Sequence, residues 1–199
     1  MKVRASGVRT LRRAFRRPGA SAPGVSPRGR GRAPHTLLRP RRSRPDVKVT
    51  VLVGSKSDLE VAEKVRARLE EFHVPCSVHV ASAHRTPDKV DRLVADPETD
   101  VFIAMAGLSA ALPGVVAART LKPVIGVPLH RGLGLDSLLS VVQMPPGIPV
   151  ASVGLDAAEN AALLATAILA LKYPELTRAL EDYRAKWREE PPAATGGST

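Results

Sequence analysis

"VKVTVLVGSKSDLEVAEKVRARLEEFHVPCSVHVASA" (residues 47–83) is the stretch whose reading decides the fold. Residues 47–54 are an apolar, β-branched run ending at Gly54, the signature of a buried strand. From Ser57 to Phe72 the period changes: Ala62, Val65, Leu69 and Phe72 recur at steps of three, four and three, one face of a helix. Ser57 or Asp58 can cap that helix, and Glu60, three residues after Ser57, would complete a capping box. Residues 76–83 return to a strand pattern. Strand, helix and strand in succession make a right-handed βαβ unit with parallel strands.

The alternation continues along the chain. Residues 86–96 read as a helix with Pro87 in its first turn, 101–107 as a third strand, 111–120 as a short helix and 123–129 as a fourth strand. A helical stretch follows at 136–143, then a fifth strand at 149–154. Residues 156–171 form an Ala/Leu helix, apolar nearly all round and expected to be buried. A last amphipathic helix, about 174–190, carries Leu176, Leu180, Tyr183 and Trp187. The expectation is an α/β, flavodoxin-like or Rossmann-like three-layer sandwich with a five-stranded parallel sheet, plus a C-terminal helix. That helix has no evident partner in its own sheet, so it is expected to dock on a neighbouring subunit. Residues 47–190 would be the domain and 191–199 a loose end.

Composition narrows the function classes. The 199-residue chain has a net charge of +11, but residues 1–46 hold 14 of its 30 Lys/Arg and one of its 19 acids. Residues 47–199 therefore carry 16 basic and 18 acidic residues, a net of −2. The basicity belongs to the first segment, and the body lacks the footprint of a nucleic-acid binder. Residues 1–46 are rich in Arg, Pro, Gly, Ala and Ser, and are expected to be disordered. Three readings compete for them: an organellar transit peptide, a basic arm, or translation from a start placed too far upstream in GC-rich DNA. The last is preferred, although the next Met is Met105, inside the domain. One cysteine, Cys76, excludes an internal disulfide framework and a Cys-cluster metal site, fits a reducing, cytoplasmic setting, and is expected in the core. No apolar run is long enough to span a bilayer.

In a parallel sheet, ligands bind beyond the carboxyl ends of the strands. "GSKSD", "ASAHRTPD", "AGLSAALPG" and "HRGLGLDS" each follow a strand, so four loops converge on one edge. "GSKSD" offers Ser55, Ser57 and backbone N–H groups at a helix start, a cradle for phosphate or ribose. It has neither dinucleotide-fingerprint nor P-loop spacing. Asp58 could take ribose hydroxyls or act as the helix cap. Arg85 suits an oxyanion, or a surface ion pair. His84 suits proton transfer, although a lone His is more often structural. His73 and His79 have structural settings, no His/Asp/Glu set has metal-ligand spacing, and no G-x-S-x-G elbow occurs. "QMPPGIP" (143–149) would set Met144 in an apolar pocket wall, or be a plain turn.

Taken in order, "GSKSD", "ASAHRTPD", "AGLSAALPGVVAA", "PVIGVPL", "GLDSLLSVVQMPPGIPVASV" and "NAALLATAIL" resemble the signature segments of the PurE family of purine biosynthesis, the N5-carboxyaminoimidazole ribonucleotide mutases, over about residues 48–171. The resemblance implies a flavodoxin-like fold, a homo-octamer, and a reaction without metal or cofactor on a small nucleotide substrate. Carried over by position, Ser55, Asp58, Ser82 and Arg85 would hold the 5′-phosphate and ribose. His84 would be the general acid/base. The 106–112 loop, with Gly107 and Leu112, would hold the migrating carboxylate or CO₂. The chain departs from the family pattern in its third loop, where Leu108 replaces a Gly and Ala111 stands at the usual His position. The segment between Pro128 and Leu135 is shorter than usual and supplies His130 and Arg131, either of which could replace the lost imidazole's contact with carboxylate. The alternatives are the related enzyme that carboxylates aminoimidazole ribonucleotide directly with CO₂, a nucleic-acid binder acting through residues 1–46, and a flavin or nucleotide carrier.

Overall fold

The computed structural model describes residues 47–132 and 134–188. The basic segment 1–46 and the loose end 191–199 lie outside the described residues. Five parallel strands form one sheet: β1 (Val49–Val53), β2 (Cys76–Val80), β3 (Val101–Ala106), β4 (Val124–Pro128) and β5 (Ala151–Ser152), in the order β2-β1-β3-β4-β5. This is the flavodoxin-like strand order, whose direction of winding reverses between β1 and β3. The helices are α1 (Leu59–Glu71), α2 (Pro87–Val94), α3 (Ala111–Ala117), α4 (Leu135–Val142), α5 (Ala158–Ala170) and α6 (Pro174–Ala185).

The three central strands are buried along their whole length, so each supplies both layers of core. Val49, Val51, Val53, Val101, Ile103, Met105, Ile125 and Val127 pack under α1 and α5. Leu52, Phe102, Ala104, Ala106 and Val124 face α2, α3 and α4 on the other side. Close packing on that second face requires Gly126: a β-carbon there would lie 2.5 Å from Val141 Cγ1 and 2.8 Å from Val150 Cγ1. The edge strands differ. All of β2 is half-buried, and β5 is two residues long, not the six read from 149–154. Pro149 has no N–H for a ladder, which limits pairing at that end.

Four local expectations need correcting. Neither Ser57 nor Asp58 caps α1 through its side chain. The chain first makes a 3-10 turn at Lys56–Asp58, and Ser55 caps that turn by accepting from the Ser57 N–H. Cys76 is half-buried on an edge strand rather than enclosed, and the burial it has pushes its thiol pKa up. The Ala/Leu helix α5 buries Ala158, Ala161, Ala162, Ala165, Thr166 and Leu169, while Leu163, Leu164 and Ile168 are only half-buried. The fourth correction concerns the premise for α6, not the expected docking on a neighbouring subunit: its apolar stripe has a partner within the chain. Leu176 is 2 % exposed, Leu180 and Tyr183 pack on the α1/α5 layer, and the Tyr183 ring lies 5.7 Å from Phe72 with the Arg68 guanidinium 5.0 Å above it. Only Trp187 of that stripe is left exposed.

Candidate functional site

The carboxyl ends of β1, β2, β3 and β4 open into one cavity of about 470 Å³. It sits at the β1/β3 reversal, where two adjacent loops lead away to opposite sides of the sheet and leave a crevice. Its lining includes all seven residues expected from the sequence: Ser55, Asp58, Ser82, His84, Arg85, Gly107 and Leu112. Leu112 reaches it from the core, as its side chain is 2 % exposed.

The first wall is the loop after β1. Ser55 and Ser57 stand at its turn, with Ser57 Oγ donating to Ser55 Oγ (3.1 Å) and Asp58 Oδ1 (3.2 Å). Asp58 is a buried carboxylate, 5 % exposed. Such a group needs a cation or several donors to offset its lost hydration. The cation arrives from 73 residues away: Arg131 Nη2 donates to Asp58 Oδ1 (2.9 Å) and to the Ser57 carbonyl (3.2 Å).

The second wall is the turn after β2, which is pinned to itself. Thr86 Oγ1 accepts from the Ser82 N–H (2.9 Å) and donates to the Ser82 carbonyl (3.3 Å), while Ser82 Oγ accepts from the Arg85 N–H (3.2 Å). Thr86 therefore does not cap α2 through its side chain; it clamps the turn. Arg85 Nη2 donates to the Gly54 carbonyl (3.0 Å), which ties this wall to the first. His84 projects from the turn, exposed and with no hydrogen bond to any described residue. The fixed turn thus presents a free imidazole to the cavity.

The third wall is the loop after β3. Leu108 (φ 53°) and Ala110 (φ 32°) both occupy the left-handed region, which costs an L-residue about 1–2 kcal/mol. Leu108 thus holds a backbone conformation that glycine adopts freely and turns its side chain to solvent, 62 % exposed.

Some expected residues are elsewhere. Met144 does not line the cavity; its sulfur and terminal methyl lie against Gly114 on α3. His130 is exposed outside the lining, beside Gly134. His73 and His79, read from the sequence as structural, do lie outside it, on the α1–β2 connection and on β2. Of the two candidates in the loop after β4, only Arg131 enters, and it reaches Asp58. The one advance signal for that pairing is Gly107, whose backbone leaves the space the Arg131 stem crosses. Among the described residues, no three His, Cys, Asp or Glu side chains come together as metal ligands, and no helix is long and apolar enough to cross a membrane.

Two guanidinium groups, four serine hydroxyls, one buried carboxylate and one free imidazole suit an anionic, hydroxyl-bearing ligand that must exchange a proton. Residues 48–190 match the AIR carboxylase family model. The chain is 56% identical over 143 residues to an N5-carboxyaminoimidazole ribonucleotide mutase of Methanocaldococcus jannaschii, covering 71% of this chain and 91% of that protein. It is 53% identical over 142 residues to the enzyme of the same name from Pyrococcus abyssi, covering 69% and 82%. A crystal structure of Treponema denticola PurE superposes with a TM-score of 0.64 at 30% identity, covering 72% of this chain and 92% of that one.

Proposed function

We propose, for a chain that belongs to the AIR carboxylase family, the reaction its mutase relatives are named for: N5-carboxyaminoimidazole ribonucleotide is converted to 4-carboxyaminoimidazole ribonucleotide, a step of purine biosynthesis. The observation that carries this reading is the meeting of four loops, with Ser55, Asp58, Ser82, His84 and Arg85, in one cavity at the β1/β3 reversal.

The roles follow from the chemistry of those groups. The Arg85 fork and the Ser55 and Ser82 hydroxyls take the 5′-phosphate, and Asp58 accepts from the ribose hydroxyls. His84, as imidazolium, gives a proton to N5 while the carbamate C–N bond breaks. The products are CO₂ and aminoimidazole ribonucleotide. C4 of the aminoimidazole then attacks CO₂ and forms the new C–C bond, and the proton left on C4 returns to His84. No proton is gained or lost over the cycle. One imidazole serves both transfers because N5, the exocyclic nitrogen on C5, lies next to C4 on one small ring. The loop at 106–112, with Gly107 and Leu112, holds CO₂ beside C4, so recombination stays effectively intramolecular.

The same reading places the protein in the cytoplasm as a homo-oligomer, an octamer by family resemblance. In support, α4 leaves Leu135, Leu139 and Val142 exposed at steps of four and three on one face. Light scattering of the purified protein tests this, and a monomer would count against it. The function itself is tested by supplying N5-carboxyaminoimidazole ribonucleotide and, separately, aminoimidazole ribonucleotide with bicarbonate. Faster turnover of the first is expected. Faster turnover of the second would make the protein a direct carboxylase.

A further inference from the structure

We propose that Arg131 is a positioning residue that holds the Asp58 carboxylate in place to receive the ribose hydroxyls, an inference that rests on the role given to Asp58 above. Three observations converge on it. Asp58 is nearly enclosed, with a side-chain exposure of 6%, and among the described residues its carboxylate oxygens meet only Ser57 Oγ and Arg131 Nη2. A carboxylate with so few partners can rotate, and rotation would turn its accepting oxygens away from the cavity. The same Nη2 also donates to the Ser57 carbonyl, so Arg131 grips the backbone next to Asp58 as well as its side chain. The backbone of β3 is shaped for this crossing: a β-carbon at Gly107 would lie 2.4 Å from Arg131 Cγ and 3.0 Å from its Cβ. A guanidinium merely waiting in solvent for a ligand would need neither the cut-away at Gly107 nor the double anchorage on Ser57 and Asp58.

The arrangement separates two tasks that cations perform in this cavity. Arg85 lies across the β1 and β2 walls and suits the anionic end of the ligand. Arg131 belongs to the β4 wall and acts on the ligand through another side chain. It therefore does not restore the carboxylate contact that a histidine in place of Ala111 would make.

The test compares wild type with Arg131→Ala, Arg131→Lys, Asp58→Asn and the Arg131→Ala/Asp58→Asn double variant. It measures kcat and KM for N5-carboxyaminoimidazole ribonucleotide, together with dissociation constants for aminoimidazole ribonucleotide, which lacks the carboxylate, and for 4-carboxyaminoimidazole ribonucleotide. Arg131→Ala is expected to raise KM about 10- to 100-fold, the range for losing a charged hydrogen bond, with kcat changed only a few-fold. Both nucleotides should weaken alike, Arg131→Lys should recover part of the loss, and the double variant should bind no worse than Asp58→Asn alone. Should Arg131→Ala not fold, Arg131→Lys against Asp58→Asn reads the same split. A loss confined to the carboxylated nucleotide, additive losses in the double variant, or unchanged binding would each overturn the proposal. If wild type binds neither nucleotide, the functional reading fails instead, so the two failures are distinguishable.

Discussion

At the amino ends of the strands, polar side chains bind one another. Thr50 Oγ1 and Thr99 Oγ1 lie 2.7 Å apart in the core, Thr99 Oγ1 donates to Asp96, Lys48 Nζ meets Asp96 at 2.6 Å, and the Lys48 N–H donates to Asp100 Oδ2 at 3.0 Å. At the carboxyl ends, polar side chains face a cavity instead. His84 is free, Ser57 is exposed, and the Arg85 guanidinium holds a single carbonyl. The first set closes on itself, so its groups serve stability. The second leaves donors and acceptors unfilled at positions fixed by turns, which is the condition for receiving a ligand without reorganising. Left-handed backbone does not distinguish the ends, since His73 before β2 adopts it as well as Leu108, Ala110 and Asp156.

The contrast predicts that substitutions at the two ends separate activity from stability, and the largest effect is expected at His84. His84→Asn should lower kcat by about 10²- to 10⁴-fold, the usual contribution of a positioned acid/base, with nucleotide binding nearly intact. Its thermal midpoint should match wild type, because the imidazole is exposed and makes no hydrogen bond to any described residue. Normal turnover would remove His84 from the mechanism. A large drop in melting temperature would break the division between the two ends.

Much of this division is legible in the sequence because parallel topology does the assembly. Once 47–54, 76–83, 101–107 and 123–129 read as parallel strands, whatever follows each must share one edge of the sheet, so "GSKSD" and "SAHRT" meet without any knowledge of contacts. What is not legible depends on partners distant in the chain. The S-x-x-E pattern at Ser57–Glu60 predicts a capping box, yet Asp58 is claimed by Arg131, 73 residues on, and the turn shifts to a Ser55 cap. The α6 stripe looks unpartnered because periodicity shows a face and not what covers it. Arg68 on α1 and Phe72 just past its end cover Tyr183, a contact across more than a hundred residues. Met144 likewise packs on Gly114, and no local pattern distinguishes that seat from a pocket wall.

The second test addresses the closed end. Thr50→Val keeps the shape of the side chain and removes Oγ1, leaving Thr99, 1 % exposed, with only its longer bond to Asp96. A loss of about 1–2 kcal/mol is expected, a fall of roughly 2–8 °C in Tm, with kcat and KM unchanged. A change in kcat would show that the two ends are coupled through β1.

The smallest effect concerns His79, half-buried on β2 and exposed to the charges of the closed end. Burial first, then the charges of Lys89 and Lys48, hold its pKa below 6.5, with Asp96 offsetting part of this. In the unfolded chain the ring protonates as the pH falls past about 6.5, whereas the folded protein resists that proton until lower pH. The stability this supplies is therefore complete above 6.5 and declines as the pH falls toward the folded value. Asp96, whose own pKa is lowered first by its bond to Lys48, keeps its contribution until the pH falls below 3.8. His79→Gln should flatten the dependence of Tm on pH between 7 and 5, by on the order of a degree because the ring is only partly enclosed. It should leave the pH profile of kcat/KM where wild type has it, because His79 does not line the cavity. A shifted activity profile with an unchanged Tm curve would reverse the assignment and make His79 part of the open end's chemistry.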